Sequence, residues 1–316
     1  MTANHPRSSR VEVDNVQFNP QPGEAYGPLT FPRYRPFLAA DREDISAFGF
    51  ELDQQPIALA VVFWRSSTKF PPRLLSIAVA RPYRGQRVAS DLLRRVELAT
   101  AERGFQSITT IYSVKLPDRA GLERLLAARE WSAPRIAEFR TAGYALDVAA
   151  EMARIEPARH PYLPDGAEIA PWFSATEEER GQIEALVQTP GYKLLFAPFV
   201  FEKTAHPELS KILRYRGRAV GWVMGEMNNP ELCYYSNAFV LPELQRRGAL
   251  IALIRDVCRC QAKLLGPRSV AQLSTTPAIP GMPRFMRERL APAALWYDEQ
   301  MECTKNLAPH EIDGGS

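Results

Sequence analysis

The stretch that decides the fold reads Cys233-Tyr234-Tyr235-Ser236-Asn237-Ala238-Phe239-Val240, followed by Leu241-Pro242-Glu243-Leu244-Gln245-Arg246-Arg247-Gly248-Ala249-Leu250. The first eight residues predict a strand and the next eight a basic turn closed by glycine. Leu250, Leu253, Ile254, Val257 and Leu264 then recur at helical spacing, up to a stop at Gly266-Pro267. The same order stands earlier in the chain. Leu74 to Ala80 is strand-like, Arg81-Pro82-Tyr83-Arg84-Gly85-Gln86-Arg87 is a basic turn, and Val88, Leu92, Leu93, Val96 and Ala99 mark a helix that stops at Gly104. Each helix is followed by another strand-like run, Gln106 to Val114 and Ser269 to Thr276. Strand, basic turn, helix, strand is written twice, the signature of an internal repeat.

Upstream of the first turn, Ile45 to Asp53 and Pro56 to Arg65 read as paired strands around Gln54-Gln55. Upstream of the second, Lys211 to Arg216 and Ala219 to Met227 pair around Gly217-Arg218. The second half opens with a strand over Ala167 to Ala175 and a helix over Glu177 to Gln188, begun by Thr176 and an acidic first turn. A boundary is expected in Glu156 to Gly166, where three prolines and a glycine break both periodicities, with His160 a linker residue. This gives domains of 1–155 and 156–316, in keeping with a 316-residue chain, about twice a common domain length.

Bulk properties narrow the class. With 46% hydrophobic and 24% charged residues each half can bury its own core, and a net charge of +3 is too even to imply a nucleic-acid or membrane surface. The cysteines, Cys233, Cys258, Cys260 and Cys303, lack metal or redox spacing, so no metal is expected and a reducing compartment fits. Cys258 and Cys260 read as packing residues on different helix faces. The longest apolar run, Ile57 to Trp64, is too short to span a bilayer, and Met1 to Arg10 is polar. The expectation is a soluble, cytoplasmic protein.

The two basic turns sit where a strand hands over to a helix, and the first amides of a helix have no internal partners and carry the positive end of its dipole. Such a place holds an anion. Residue by residue the turns resemble the diphosphate-binding loop of the GNAT superfamily of N-acetyltransferases, Q/R-x-x-G-x-G/A. Gln245, Arg246, Arg247, Gly248 and Ala249 fit, with Leu250 in the last place. Arg84 and Ala89 fit, with Arg87 in place of the middle glycine and Gly85, Gln86 and Val88 as the rest of that candidate loop. The resemblance implies two tandem α/β (α+β) domains, each a mixed, mainly antiparallel sheet flanked by helices. It also implies acetyl-CoA or another acyl-CoA as donor, lying along Phe239 and Val240, and along Val79 in the first half. Arg87 is expected to weaken the first cradle.

Direct transfer of an acyl group from a thioester to an amine needs a group that takes the ammonium proton and one that stabilises the leaving thiolate. In the second half Glu226, Tyr235 and Ser236 are the candidates, Glu226 as base; it reads equally as a solvated carboxylate at a strand end. Regular alternation puts Tyr235 and Asn237 on one sheet face and Tyr234 and Ser236 on the other. The tyrosine that family members often place on the late helix is missing from both corresponding stretches, Leu126 to Trp131 and Phe285 to Leu290, and Tyr297 reads as a strand or core residue. The first half has Glu51 and Asp53 early, but no acid or tyrosine in its matching strands, and is expected to be the structural half. Leu194, Leu195, Phe196, Phe199, Val200 and Phe201 read either as an acceptor cover or as packing, and His206 as a turn residue.

The expected activity is therefore acyl-CoA-dependent N-acylation of a small molecule or peptide amine, with a group other than an amino-acyl one. The alternatives are a non-catalytic acyl-CoA-binding protein, and transfer from an acyl carrier protein or charged tRNA. Arg81, Arg84, Arg87, Arg94 and Arg95 could meet such an acidic partner or form a solvated helix face.

Overall fold

The computed structural model describes residues 16–39, 42–68, 70–156, 162–189 and 197–307. His160, Leu194, Leu195 and Phe196 lie outside them. The chain divides into two units, Met1–Ala137 with Gln300–Ser316, and Glu138–Glu299.

The first unit contains β1 (Gln17–Asn19), β2 (Ile45–Leu52), β3 (Gln55–Phe63), β4 (Arg73–Val79), α1 (Val88–Glu102), β5 (Ser107–Ser113) and α2 (Arg119–Ala128). Two 3-10 segments, Glu24–Leu29 and Pro32–Leu38, occupy the opening region where the sequence pattern is weak. The strands β6 (Arg135–Tyr144) and β12 (Trp296–Asn306) are each divided between the units. In the first unit the sheet order is β1-β2-β3-β4-β5-β12, antiparallel except for β4 and β5.

The second unit adds α3 (Ala145–Arg154), β7 (Ala167–Pro171), α4 (Glu177–Val187), β8 (Lys211–Tyr215), β9 (Arg218–Asn229), β10 (Leu232–Val240), α5 (Pro242–Gln245), α6 (Ala249–Leu265), β11 (Val270–Thr275) and α7 (Met282–Phe285). Its order is β6-β11-β10-β9-β8-β7, antiparallel except for β10 and β11. Each sheet thus has one parallel pair, and it is the pair on either side of the helix that follows the basic turn. A parallel pair needs a crossover, which α1 and α6 provide.

Burial follows the apolar periodicity. Val88, Leu92, Leu93 and Val96 seat α1 on its sheet, and Ala249, Leu253, Ile254, Val257 and Cys258 seat α6. Leu264, expected on the buried stripe, is exposed, and Gln261 is buried instead. Helix α4 opens with a reciprocal cap: Thr176 Oγ1 accepts the Glu179 amide at 3.2 Å, while the Thr176 amide donates to Glu179 Oε2 at 2.8 Å. Among the described residues no helix is long and apolar enough to cross a membrane, and no group of three His, Cys, Asp or Glu side chains could hold a metal ion.

Two expectations are corrected. The hairpin turns are Asp53-Gln54 and Arg216-Gly217, one residue earlier than the sequence suggests, and all four residues have positive φ. That is the conformation a two-residue hairpin needs to match the strand twist. The division of the chain falls at Ala137/Glu138 and again at Glu299/Gln300, not within Glu156 to Gly166. The reason is packing: Ala145, Val148, Ala149 and Met152 of α3 are buried in the same core as α6, and Gln300 to Asn306 pair with β5.

Candidate functional site

In the second unit β10 and β11 are paired only from Leu232↔Val270 to Tyr235↔Leu273, after which the two strands part. Ser236 is the first β10 residue beyond the last pair, and it is a bulge. Tyr235 lies opposite Gly225 and Asn237 opposite Met224, with no partner position for Ser236. A bulge adds one residue to a strand and so inverts its alternation. Tyr235 therefore points under α6, where it is 4% exposed and its hydroxyl donates to Gln261 Oε1 at 2.9 Å. Asn237 points to the opposite face and accepts the Trp222 indole N–H at 2.9 Å. Burial pushes the Tyr235 phenol well above its ordinary range, with Cys258 and Cys233 adding to the effect.

The face away from α6 carries the polar groups. Glu226 on β9 lies opposite Tyr234 on β10. It is half-buried, its backbone is bridged to Ala205, and its Oε1 accepts the Thr204 hydroxyl. The Tyr234 hydroxyl is 2.8 Å from Ser274 Oγ, and Ser274 is the first β11 residue past the last pair. Tyr234 and Ser274 thus meet where the strands separate. Burial raises the Tyr234 phenol above its ordinary value; the Ser274 hydrogen bond opposes this, Glu138 and Glu226 add to it, and Arg140 opposes it. Ser236 Oγ is buried and has no hydrogen-bond partner among the described residues.

At the far end of β10 the turn is tied back to the strand. Gln245 Nε2 donates to the Val240 carbonyl at 2.7 Å, and Gly248 has φ 84° at the start of α6. The amide of Ile251 already donates to Gly248 O at 2.9 Å, so among the described residues Ala249 and Leu250 offer the unpartnered N–H groups. A side chain at Gly248 would come within 2.5 Å of the Tyr162 ring. Tyr162 is held there by its hydroxyl on Ile155 O at 2.6 Å and its amide on Glu156 Oε1 at 2.9 Å.

The first unit repeats this construction. Arg84 Nε donates to the Val79 carbonyl at 3.0 Å, as Gln245 does to Val240. Leu75 is skipped between Ser76↔Val61 and Leu74↔Val62, so the bulge recurs beside the last β4–β5 pair, Leu74↔Thr110. Arg87, at φ 66°, occupies the place of Gly248. Among the described residues no acceptor meets the amides of Val88, Ala89 and Ser90, and a side chain at Gly85 would meet nothing within 4 Å. This cradle is at least as open as the second. The residues at the matching positions differ: Phe63 lies opposite Arg73 where Glu226 lies opposite Tyr234, and Ile111 stands in the place of Ser274.

The left-handed conformation costs a residue with a side chain about 1–2 kcal/mol, part of which a glycine gives back as extra freedom in the unfolded chain. Arg87→Gly is therefore expected to raise stability by about 0.5 kcal/mol, read as a higher urea midpoint at unchanged slope. A lower midpoint would mean that the Arg87 side chain holds the turn.

Of the sequence candidates, Glu226 and Ser236 stand beside the parted strands. Tyr235 does not; it is a packing residue, and Tyr234 takes the place expected for it. Val79, Val240, Val88 and Ala249 have core side chains. Phe239 packs tilted against Trp222 with ring centres 4.9 Å apart, Arg246 and Arg247 are exposed, and Leu250 is half-buried. Phe199 packs on Trp172 at 5.9 Å, while Val200 is exposed. Glu51 accepts the Tyr26 hydroxyl at 3.1 Å and Asp53 forms a turn. His206 lies in a turn, with Nδ1 accepting the Glu208 amide at 3.2 Å, and Tyr297 lies in β12 with its hydroxyl on Glu299 Oε1 at 2.9 Å. Cys258 is buried and Cys260 directs its Sγ to Glu208 O at 3.4 Å.

Comparison with known proteins agrees with this construction. Residues 14–124 match the Acetyltransferase (GNAT) family. Two solved structures are similar over nearly the whole chain. One is a GCN5-related N-acetyltransferase from Sphaerobacter thermophilus, with 17% identity, a TM-score of 0.61, and coverage of 94% of this chain and 97% of that one. The other is a tandem GNAT protein from the clavulanic acid biosynthesis pathway, with 12% identity, a TM-score of 0.60, and coverage of 93% and 99%. No curated protein matches the chain. The family match lies in the first unit, and the likeness to the two solved structures extends over both: the chain has the fold of two tandem GNAT-type domains.

Proposed function

We propose that the chain transfers an acetyl or longer acyl group from acyl-CoA to an amine of a small molecule or peptide, by direct attack in the second unit. The observation that carries this reading is the grouping of Glu226, Tyr234 and Ser274 around the point where β10 and β11 part. The thioester lies between the parted strands, its diphosphate against the amides of Ala249 and Leu250, where the helix dipole favours negative charge. Glu226, reachable from solvent, takes the proton of the incoming ammonium. Thr204 holds one of its oxygens and leaves the other for the amine. The first unit acts as the structural half, keeping a similar cradle at α1 but with Phe63 and Arg73 at the positions that match Glu226 and Tyr234.

The test is amine-dependent release of free CoA from acetyl-CoA across a panel of amines, with the acylated amine identified by mass. Binding of acetyl-CoA with no amine-dependent thiol release would leave a binding protein only.

The Tyr162 ring against Gly248 favours a second reading, in which the donor rests on α1. Two exposed arginines separate the two. A carboxylate in an anion cradle costs on the order of 1–2 kcal/mol, about tenfold in affinity. On the leading reading Arg247→Glu weakens acetyl-CoA binding in the transferring unit about tenfold and raises its KM, while Arg87→Glu leaves the KM unchanged. The reverse pattern, read by calorimetric titration and initial rates, would move the donor to the first unit.

A further inference from the structure

We propose that Tyr234, on a strand of the sheet, supplies the proton to the departing thiolate. This rests on the direct-transfer reading above and deepens it. The late helix of each unit has no tyrosine, so the leaving group must be met from elsewhere. Tyr234 is on the same sheet face as Glu226, opposite it across the β9–β10 ladder. Its hydroxyl is fixed 2.8 Å from Ser274 Oγ, at the first β11 residue past the end of pairing. That is where a thioester inserted between the strands ends. Tyr235, one residue on, is committed to Gln261 under α6.

The step balances without a further reagent. The ammonium loses one proton to Glu226 and the freed amine forms the C–N bond; the nitrogen's second proton leaves to solvent as the C–S bond breaks, and the sulfur takes the phenolic proton of Tyr234. The phenolate then recovers a proton from solvent through Ser274, and Glu226 gives up its proton as the product leaves. The groups that face the phenol are Glu226 on β9, Glu138 and Arg140 on β6, and Ser274 on β11. Burial, with Glu138 and Glu226 adding to it, raises the phenol further above neutral pH, so it stands protonated, the state a proton donor needs.

Tyr234→Phe keeps the ring and removes only the hydroxyl. With acetyl-CoA and an amine from the panel above, kcat is expected to fall about 100-fold, with the KM of acetyl-CoA within about threefold of wild type. Incorporating 3-fluorotyrosine at position 234, a more acidic phenol of nearly the same shape, is expected to move the basic limb of the kcat profile to lower pH. Ser274→Ala is expected to lower kcat less than Tyr234→Phe. An unchanged kcat in Tyr234→Phe, a loss confined to KM, or a basic limb that ignores the fluorine would overturn the assignment. Those outcomes leave amine-dependent transfer intact, whereas loss of transfer in the wild-type protein would remove the reading beneath it.

Discussion

Replacing Glu226 by Gln is expected to lower kcat for amine acylation by about 10²–10⁴-fold at neutral pH, with little change in acetyl-CoA affinity. Most amines are protonated near pH 7 and cannot attack a thioester until a proton leaves, so a positioned carboxylate acts on the reactive fraction directly. Gln is nearly isosteric, and its carbonyl oxygen can still accept the Thr204 hydroxyl, so the strand end should keep its shape. The deficit should shrink as the pH rises, because hydroxide takes over deprotonation of the amine. Steady-state rates from pH 6 to pH 10, with calorimetric titration of acetyl-CoA as a control, decide it. Wild-type kcat in Glu226→Gln would reduce Glu226 to a solvated carboxylate at a strand end.

The helices were legible because their apolar residues repeat with a period that reports burial directly. Val88, Leu92, Leu93 and Val96, and Leu253, Ile254 and Val257, sit where the pattern puts them. Thr176 was equally readable, since a cap depends on residues three apart in the chain. The faces of β10 were not. A bulge is a mismatch with the neighbouring strand, and neither Ser236 nor Leu75 carries a local signal for one. Alternation carried straight through Ser236 therefore assigns Asn237 to the wrong face, and choosing Tyr235 over Tyr234 had nothing local to correct it. The same limit hid the division of the chain. Gln300 to Asn306 join the first unit by pairing with β5, a contact between residues nearly two hundred positions apart that local pattern cannot report. Gly248 carries two constraints, and only one could be read. Its turn needs positive φ, whereas the close approach of Tyr162 comes from a preceding segment whose path the sequence leaves open.

Removing the carboxylate of Glu97 is expected to cost the largest share of folding stability among single polar changes in the first unit, about 3 kcal/mol for Glu97→Ala. Glu97 lies on α1 and is 6% exposed. Its Oε1 accepts the Trp131 indole N–H at 2.9 Å, and its Oε2 pairs with the Arg129 guanidinium. Breaking a buried pair by removing one partner is costly, about 3–5 kcal/mol, because the other charge stays behind. Arg129, with a quarter of its side chain exposed, can regain some water, which favours the lower end; Trp131, at 5% exposure, cannot. Glu97→Gln keeps one acceptor and should lose about half as much. The comparison that isolates the cause replaces all three groups at once, Glu97→Leu with Arg129→Leu and Trp131→Phe. With no buried donor or charge left unmatched, this variant should be more stable than Glu97→Ala in urea denaturation, although it has lost more hydrogen bonds. A triple variant as unstable as the sum of its single changes would instead assign the loss to packing of α1 against its neighbours.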